Sequence, residues 1–282
     1  MKSYINHLKI SKQIKSLIKG TSVASLLYWH DQKLKDVLGW RGVKKFIKFS
    51  IASKKKDEIA GNYNVSRLYY GNPISDGLSA SGATVWNYTR LKNPPIIQNN
   101  EICQLLEKNA NAIIEEYKNN IDKIVTHPDN NSLAKGGTWS GIFLYGVGGK
   151  KDERYQEYFK KTYELVDQLP ISKNFGFVLI SKLSAGVKIL PHCGSSNLRF
   201  RYHLGLDVPE PDKVKIRVGQ TWQHWGTGKA FGFDDSFEHE VIHEGEKDRV
   251  VLIVDAWNPD LTKEEIGIFD NRLFHDFGTR VN

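Results

Sequence analysis

The chain has 282 residues, of which 40% are hydrophobic and 26% charged, and its formal net charge is +8. This composition is ordinary for a folded soluble protein, and no internal repeat or low-complexity tract interrupts it. Two cysteines, Cys103 and Cys193, exclude a disulfide framework and favour a reducing compartment.

The positive charge is concentrated in residues 1–60, which hold 14 Lys+Arg and 4 Asp+Glu, whereas the rest of the chain has a net charge of −2. Apolar residues at helical spacing predict that this segment is helical. Its lysines exclude a signal peptide, and no stretch reaches the roughly 18 apolar residues of a membrane helix. We therefore predict a cytoplasmic protein. The basic face is either a solvated or packing surface, or it docks an anionic membrane, nucleic acid or acidic partner.

Three segments follow from the pattern along the chain. Residues 1–60 form the basic helical segment, and 61–98, rich in Gly, Ser, Asn and Pro, form an irregular connection. Residues 99–282 form the main domain. It begins with the clearest helix, "NNEICQLLEKNANAIIEEYKNNIDKI", whose apolar residues recur at helical spacing.

After this helix the hydrophobic period changes to that of strands. Short β-branched or aromatic segments follow one another between Gly, Pro and Asp turns: "TWSGIFLYG", "GFVLISKL", "VKILPHC", "LRFRYHLGLDV", "VKIRVG", "HEVIHE" and "RVVLIVDAW". Only "DERYQEYFKKTYELVDQL" among them is helical in pattern. The segments predict a mainly β fold with helical additions, a barrel or jelly roll.

Polar residues alternate along one of these predicted strands. Arg199, Arg201 and His203 share one face because successive side chains of a strand point to opposite sides. The residues between them are apolar, which predicts a polar interior and an apolar outside. Buried arginines need anions, so this face implies either a small anionic ligand or buried acidic partners.

Two histidines and a third arginine flank this face in sequence. His192 ends one predicted strand and His239 begins another, and a jelly roll can bring two such ends together as a pair of ligands for a divalent metal. Single histidines on strands are also common as hydrogen-bonded structural residues. Arg249, which opens an apolar strand, either holds the far carboxylate of a metal-chelating acid or pairs with Glu246 or Asp248.

Taken together, these segments resemble a known family. The ordered blocks "SKLSAGVKILPHCGSSNLRFRYHLGLDVP", "WGTGKAFGFDDSFEHEVIH" and "RVVLIVDAWNPDLT", with "GGTWSGIFLYG" before them, are similar to the aspartyl/asparaginyl β-hydroxylases. These are iron(II)- and 2-oxoglutarate-dependent oxygenases. The resemblance covers roughly residues 100–265. It implies a double-stranded β-helix, a cupin-like jelly roll, for the core of 99–282, packed against the N-terminal helices.

The resemblance also implies a metal site. His192 and His239 would ligate iron(II), and Asp235 would hold a water on the metal. Gly194 stands where related oxygenases with a facial triad place a carboxylate. Water would therefore take the third protein position. Cys193 follows a ligand directly, but adjacent strand residues face opposite sides, so we do not expect it to bind the metal.

A cosubstrate site is implied in the same way. Arg249 would pair with the C5 carboxylate of 2-oxoglutarate, and Ser181 would hydrogen-bond to it. Arg201 and His203 would lie near the C1 carboxylate and the metal. Arg199 would face the substrate.

The resulting prediction is a 2-oxoglutarate-dependent dioxygenase that uses O₂ and hydroxylates an unactivated C–H. We expect a small-molecule or peptide substrate with an anionic group, most simply at the β-carbon of an aspartyl, asparaginyl or related residue. The alternatives are an acyl-chain hydroxylase for a lipid A type substrate, with peripheral membrane contact through residues 1–60, and a non-catalytic jelly-roll binding protein. No nucleic-acid-binding motif is present, so no nucleic acid is expected as a partner.

Overall fold

The computed structural model describes residues 91–269, apart from 93, 147–148, 173–175 and 195. The predicted basic segment 1–60 and most of the predicted connection 61–98 lie outside the described residues. Within the described ranges, no helix is long and apolar enough to cross a membrane.

Seven antiparallel strands form the larger of two sheets. Their order across the sheet is β1 (Ile96–Ile97), β10 (Ala230–Phe233), β7 (Arg199–Asp207), β12 (Arg249–Trp257), β5 (Val178–Leu183), β4 (Trp139–Tyr145) and β2 (Val125–Thr126). The long strands β7 and β12 lie in its middle and carry much of the polar inner face.

Five antiparallel strands form the smaller sheet. Their order is β3 (Ala134–Lys135), β6 (Lys188–His192), β11 (His239–His243), β8 (Val214–Val218) and β9 (Thr221–His224). From β5 to β12 the chain crosses repeatedly between the two sheets, which is the connectivity of a jelly roll. The predicted fold class, mainly β with a jelly-roll core, is confirmed.

Two apolar cores hold these layers, one on each face of the larger sheet. On the outer face, Val250, Leu252 and Val254 of β12 pack with helices; on the inner face, Val251 and Ile253 face the smaller sheet. All nine residues of β12 are buried because both of its faces are covered. The helices of the described part are α1 (Glu101–Lys108), α2 (Ala110–Asn119), α3 (Asn130–Leu133), α4 (Lys160–Val166) and α5 (Lys263–Phe269).

The predicted leading helix is two helices, α1 and α2, with a break at Asn109. The Asn109 side chain donates to the carbonyl of Leu105 at 2.8 Å, while its backbone N–H donates to Leu106 at 3.2 Å. An asparagine side chain that competes for helix carbonyls favours such a break. The predicted apolar stripe nevertheless packs against the outer face of the larger sheet. The second predicted helical stretch is also shorter than expected. It consists of a 3₁₀ turn at Glu153–Tyr155 followed by α4.

Candidate metal and anion site

Two histidines face each other where β6 and β11 pair. His192 ends β6 and His239 begins β11, and the two residues are directly opposite in the register of the smaller sheet. Their ring centroids are 4.1 Å apart. The fold therefore brings together two imidazoles that are 47 positions apart in the chain.

Backbone carbonyls determine which nitrogen of each ring is free. The Nδ1 of His192 lies 2.7 Å from the oxygen of Leu190, and the Nδ1 of His239 lies 2.9 Å from the oxygen of Phe237. A carbonyl can only accept, so each Nδ1 carries the hydrogen and each Nε2 keeps a lone pair. Burial lowers the pKa of both histidines, well below its usual value for His239, which keeps the rings neutral.

A tight turn before His239 places a carboxylate beside this pair. The Asp234 side chain accepts from the backbone N–H of Ser236 at 2.9 Å, and Phe237 N–H donates to the Asp234 carbonyl at 3.2 Å. The turn positions Asp235 so that its carbonyl accepts from Gly194 N–H at 2.6 Å. A Cβ atom on residue 194 would overlap the Asp235 carboxylate. The carboxylate therefore occupies the space that a side chain at position 194 would need.

In the described part of the chain, no group of three or more His, Cys, Asp or Glu side chains is arranged to hold a metal. His192 and His239 are thus a pair of imidazole donors, and the remaining coordination positions of a bound metal would be left for water or a ligand. Cys193 is buried in the inner core and forms no disulfide.

Four charged residues form a closed network near the pair, at the C-terminal end of β12. Arg201 binds Asp255 with both its Nε and Nη2 atoms, at 2.7 and 2.8 Å. Arg199 Nη2 donates to Asp235 Oδ2 at 2.8 Å, and its Nε lies 3.3 Å from Asp255 Oδ2, close enough for attraction but not aligned for a hydrogen bond. Burial alone would lower the pKa of Arg201, but Asp255 and Asp235 hold it above its usual value. Besides Arg199 Nε, two buried atoms of the network have no hydrogen-bond partner among the described residues, Arg199 Nη1 and Asp235 Oδ1.

At the other end of β12 a third arginine has no acidic partner among the described residues. Arg249 is buried, and its Nε and Nη1 have no hydrogen-bond partner among the described residues. The ion pair with Glu246 or Asp248 that the sequence left open is not formed, and Asp248 instead pairs with Lys182 at 2.7 Å. Burial lowers the pKa of Arg249 to about 9, so it remains a cation at neutral pH. A buried cation without a counterion is costly and indicates a place for an anion.

Two neutral side chains that can donate a hydrogen bond, His203 and Ser181, lie at this end of the inner face. The Nδ1 of His203 accepts from the indole N–H of Trp225 at 3.1 Å, and its Nε2 is buried without a partner in the described structure. The Oγ of Ser181 accepts from the indole N–H of Trp139 at 3.0 Å. Burial lowers the pKa of His203 well below its usual value, so the ring is neutral and its Nε2 carries the hydrogen.

An aromatic wall, His127, Trp139, Phe143 and Phe177, flanks the network. The His127 ring stacks on Trp139 with centroids 3.6 Å apart, and Phe143 contacts His127 at 5.3 Å and Phe177 at 5.9 Å. Arg201 lies over the Phe177 ring at 5.4 Å. Burial lowers the pKa of His127 to about 3, so this histidine is a neutral part of the wall. The wall continues the inner face as an apolar surface beside the charged network.

Ser181, Arg199, Arg201, His203 and Arg249 lie on the larger sheet, and the smaller sheet and its turn carry His192, Asp235 and His239. Three residues with clear contacts there were not predicted: Asp255, Trp139 and Trp225. The signal for Asp255 is the period of two that it shares with Arg249 along β12. Both tryptophans lie within motif blocks, but sequence alone does not indicate which group an indole N–H will meet.

Comparison with known proteins gives this site a context. The family model described as aspartyl/asparaginyl beta-hydroxylase matches residues 107–259, more than half of the chain. The human protein named "Aspartyl/asparaginyl beta-hydroxylase" is 34% identical over 169 residues, which are 58% of this chain and 22% of that protein. The Rhizobium tropici "Ornithine lipid ester-linked acyl 2-hydroxylase" is 32% identical over 182 residues, 61% of this chain and 63% of that protein.

Among solved structures, a Pseudomonas putida prolyl-4-hydroxylase aligns with 58% of this chain and 92% of its own, at 9% identity and a TM-score of 0.35. The matched region of the curated relatives is one part of longer proteins, about a fifth of the human one. The family model spans both histidines, the turn between β10 and β11, and Arg249. This chain belongs to the aspartyl/asparaginyl β-hydroxylase family.

Proposed function

We propose that this protein is an iron(II)- and 2-oxoglutarate-dependent dioxygenase that hydroxylates an unactivated C–H bond. The observation that carries the proposal is that two kinds of open group, one from each sheet, lie in the interior between the sheets. One is the pair of neutral imidazoles with free Nε2 atoms; the other is the set of buried donors without acceptors. A metal with a dicarboxylate chelator would satisfy both.

The residues fit the metal by their chemistry. His192 and His239 would hold iron(II) through Nε2, the nitrogen that their carbonyl contacts leave free. The open Oδ1 of Asp235 would accept from a water in the space next to the pair. When bound, iron(II) with 2-oxoglutarate supplies the activation of O₂ that attack on a C–H bond requires. The protein's own contribution is to orient the ligands and to exclude bulk water from the inner face.

The residues fit the cosubstrate by charge and by polarity. The unpaired guanidinium of Arg249 would bind the C5 carboxylate, with the Ser181 hydroxyl as a second donor. The Nε2–H of His203 would donate to the C1 carboxylate. Arg201, whose Nε and Nη2 are bound to Asp255 and whose Nη1 lies 3.5 Å from Asp235 Oδ2, would add positive charge near the C1 carboxylate.

For the substrate we favour an amino acid, free or within a peptide, hydroxylated at the β-carbon. The family membership and the human relative's name support this choice. Arg199, with its buried and unpaired Nη1, would meet an anionic group of the substrate.

A second candidate is an acyl-chain hydroxylase, and the aromatic wall favours it. His127, Trp139, Phe143 and Phe177 offer an apolar surface next to Arg201, which suits an alkyl chain better than a polar side chain. The name of the Rhizobium tropici relative points in the same direction. In this case the basic residues 1–60 would contact an anionic membrane surface.

Turnover coupled to succinate formation tests the proposal and separates the candidates. Purified protein with iron(II) and 2-oxoglutarate would be assayed against amino acids, short acidic peptides and acyl lipids in mixed micelles, with product mass as a second readout. We expect succinate and a product heavier by one oxygen for one substrate class, and neither with His239→Ala. A protein that binds no 2-oxoglutarate and forms no succinate with any class would contradict the enzyme assignment and leave a binding protein.

A further inference from the structure

Two tryptophans at the donor end of the inner face use their indole N–H groups in the same unusual way. Trp225, which follows β9 and is buried, donates to the imidazole of His203. Trp139, the first residue of β4, donates to the hydroxyl of Ser181. The imidazole of His203 and the hydroxyl of Ser181 both accept from an indole N–H, which leaves the hydrogen of each group for another partner.

At His203 the contact selects a tautomer. An indole N–H can only donate, so the facing Nδ1 must be the acceptor and the hydrogen of the neutral ring must be on Nε2. The other tautomer would set two N–H groups against each other at 3.1 Å. Nε2 is buried and has no hydrogen-bond partner in the described structure, so its hydrogen is available to an acceptor on a ligand.

At Ser181 the contact directs a hydroxyl. The Trp139 indole takes one lone pair of Oγ, and the described part of the structure offers no acceptor for the hydroxyl hydrogen. The hydrogen is therefore available for a ligand. Ser181 is opposite Val251 in the register of β5 and β12, two residues from Arg249 on the same face. Diagonal neighbours of this kind lie within reach of one ligand.

The third donor, Arg249, also contacts an indole ring. The guanidinium carbon of Arg249 lies 4.8 Å from the centre of the Trp225 ring, a cation–π contact that leaves Nε and Nη1 unpaired. Trp225 thus touches both Arg249 and His203. Arg249 and His203 offer hydrogens and no lone pair to this space, and Ser181 offers its hydroxyl hydrogen.

We infer that Trp225 and Trp139 are positioning residues that make this a donor-rich subsite for a dicarboxylate: Trp225 fixes the hydrogen of His203 on Nε2, and Trp139 occupies one lone pair of Ser181 Oγ, so that the hydroxyl hydrogen is directed to another partner. The inference rests on the proposed function, because 2-oxoglutarate is the ligand it concerns. It adds that recognition depends on two residues that do not touch the ligand.

Binding of 2-oxoglutarate to protein loaded with Mn(II) in place of iron, measured by calorimetry without turnover, tests the inference. Trp225→Phe keeps a ring under Arg249 but removes the N–H. It should weaken 2-oxoglutarate binding about tenfold, the equivalent of one buried hydrogen bond of about 1.4 kcal/mol. Mn(II) affinity should not change, and in turnover the KM for 2-oxoglutarate should rise with little change in kcat. Trp222→Phe, at an exposed position on β9, is the matched control and should bind as wild type.

A double-mutant cycle distinguishes positioning from packing. In a His203→Leu background, Trp225→Phe should lower the 2-oxoglutarate affinity by less than about twofold, because the imidazole that the indole orients is absent. Trp139→Phe should likewise lose its effect in a Ser181→Ala background. Where Trp225→Phe does not fold, 3-benzothienylalanine at position 225, in which sulfur replaces the indole N–H, tests the same bond.

The outcomes separate the two proposals. Equal losses in the wild-type and His203→Leu backgrounds would show that the indole only packs, and would overturn the positioning role while the proposed function stands. Wild-type protein that binds Mn(II) but not 2-oxoglutarate would overturn the proposed function and this inference with it.

Discussion

The inner face of the larger sheet carries three arginines in two contrasting surroundings. At the C-terminal end of β12, Arg199 and Arg201 are closed by Asp235 and Asp255. At its N-terminal end, Arg249 is as deeply buried but has no carboxylate partner in the described structure. Arginine thus has two roles on this face. At one end its charge is balanced by carboxylates of the protein, and at the other end it is an unpaired cation that can bind an anion.

The difference indicates which end takes a ligand. A balanced network can orient groups but has little free energy left to gain from an anion, whereas an unpaired buried cation gains much. Arg199 retains one open nitrogen, so a lesser contact with a substrate is compatible with its place in the network. The four predictions that follow probe this contrast, and the largest effect is expected at the histidine pair between the two ends.

Removal of either histidine should abolish metal binding. His239→Ala leaves one imidazole and no other clustered ligand in the described part. The loss of metal affinity should exceed the roughly 10- to 100-fold typical of losing an outer partner of a ligand. Competition with a metal chelator measures it, with exposed His224→Ala as the control. Wild-type metal affinity in both His192→Ala and His239→Ala would place the metal elsewhere.

Arg249→Met should separate binding from stability. Loss of a charged contact in a desolvated site costs about 2–5 kcal/mol, so 2-oxoglutarate affinity should fall about 30- to several thousand-fold. The ligand-free protein should be as stable as wild type or more so, because a buried unpaired charge is removed. Arg249→Lys should recover only part of the affinity, since lysine lacks the planar fork. A marked drop in the unfolding free energy of Arg249→Met without ligand would instead identify a structural cation.

Arg201→Met should lower the stability of the ligand-free protein, unlike Arg249→Met. It removes the bidentate partner of the buried Asp255, and loss of one partner of a buried pair typically costs about 3–5 kcal/mol of unfolding free energy. Denaturant unfolding of the ligand-free protein measures the effect. Arg154→Met, which breaks the exposed pair with Asp152, is the control and should leave the unfolding free energy nearly unchanged. Similar small losses in both variants would remove the distinction between the two ends.

Gly194→Ala should have the smallest of these effects. The added methyl group must displace the Asp235 carboxylate, which would disturb the neighbour of the metal without removing a ligand. We expect a loss of metal affinity or turnover of about 10- to 100-fold, the range for outer partners of a metal site. Gly146→Ala, where an added Cβ meets no atom within 4 Å, is the matched control. Unchanged turnover in Gly194→Ala would show that the position of Asp235 is not needed.

The sequence alone predicted the strands that have a clear hydrophobic pattern. Seven strands with β-branched or aromatic runs were found, and the pattern of His192 at a strand end and His239 at a strand start matches their pairing. The two-residue period of Arg199, Arg201 and His203 identified the polar face correctly. Whether each arginine forms an ion pair could not be predicted from this period, because it depends on which carboxylate lies near it in the folded protein.

Other features escaped for similar reasons. Strand β10 (Ala230–Phe233) is short and contains a glycine, so its sequence resembles a turn, yet it pairs with β7 across the inner face. Asn109 interrupts an otherwise continuous helical pattern through its own side chain. The roles of Trp139 and Trp225 depend on hydrogen bonds across 42 and 22 positions of sequence. The role and structure of residues 1–60 and the cytoplasmic location stay predictions.

The central claim is that the histidine pair holds a metal next to an end of the inner face that binds a dicarboxylate. Anaerobic titration of the iron(II)-loaded protein with 2-oxoglutarate tests it most directly, through the visible charge-transfer absorption that appears when a 2-oxo acid chelates iron(II). We predict a saturable band at one equivalent for wild type, none for His239→Ala, and saturation only at far higher concentration for Arg249→Met. A wild-type protein without the band, or an Arg249→Met protein that saturates like wild type, would contradict the account.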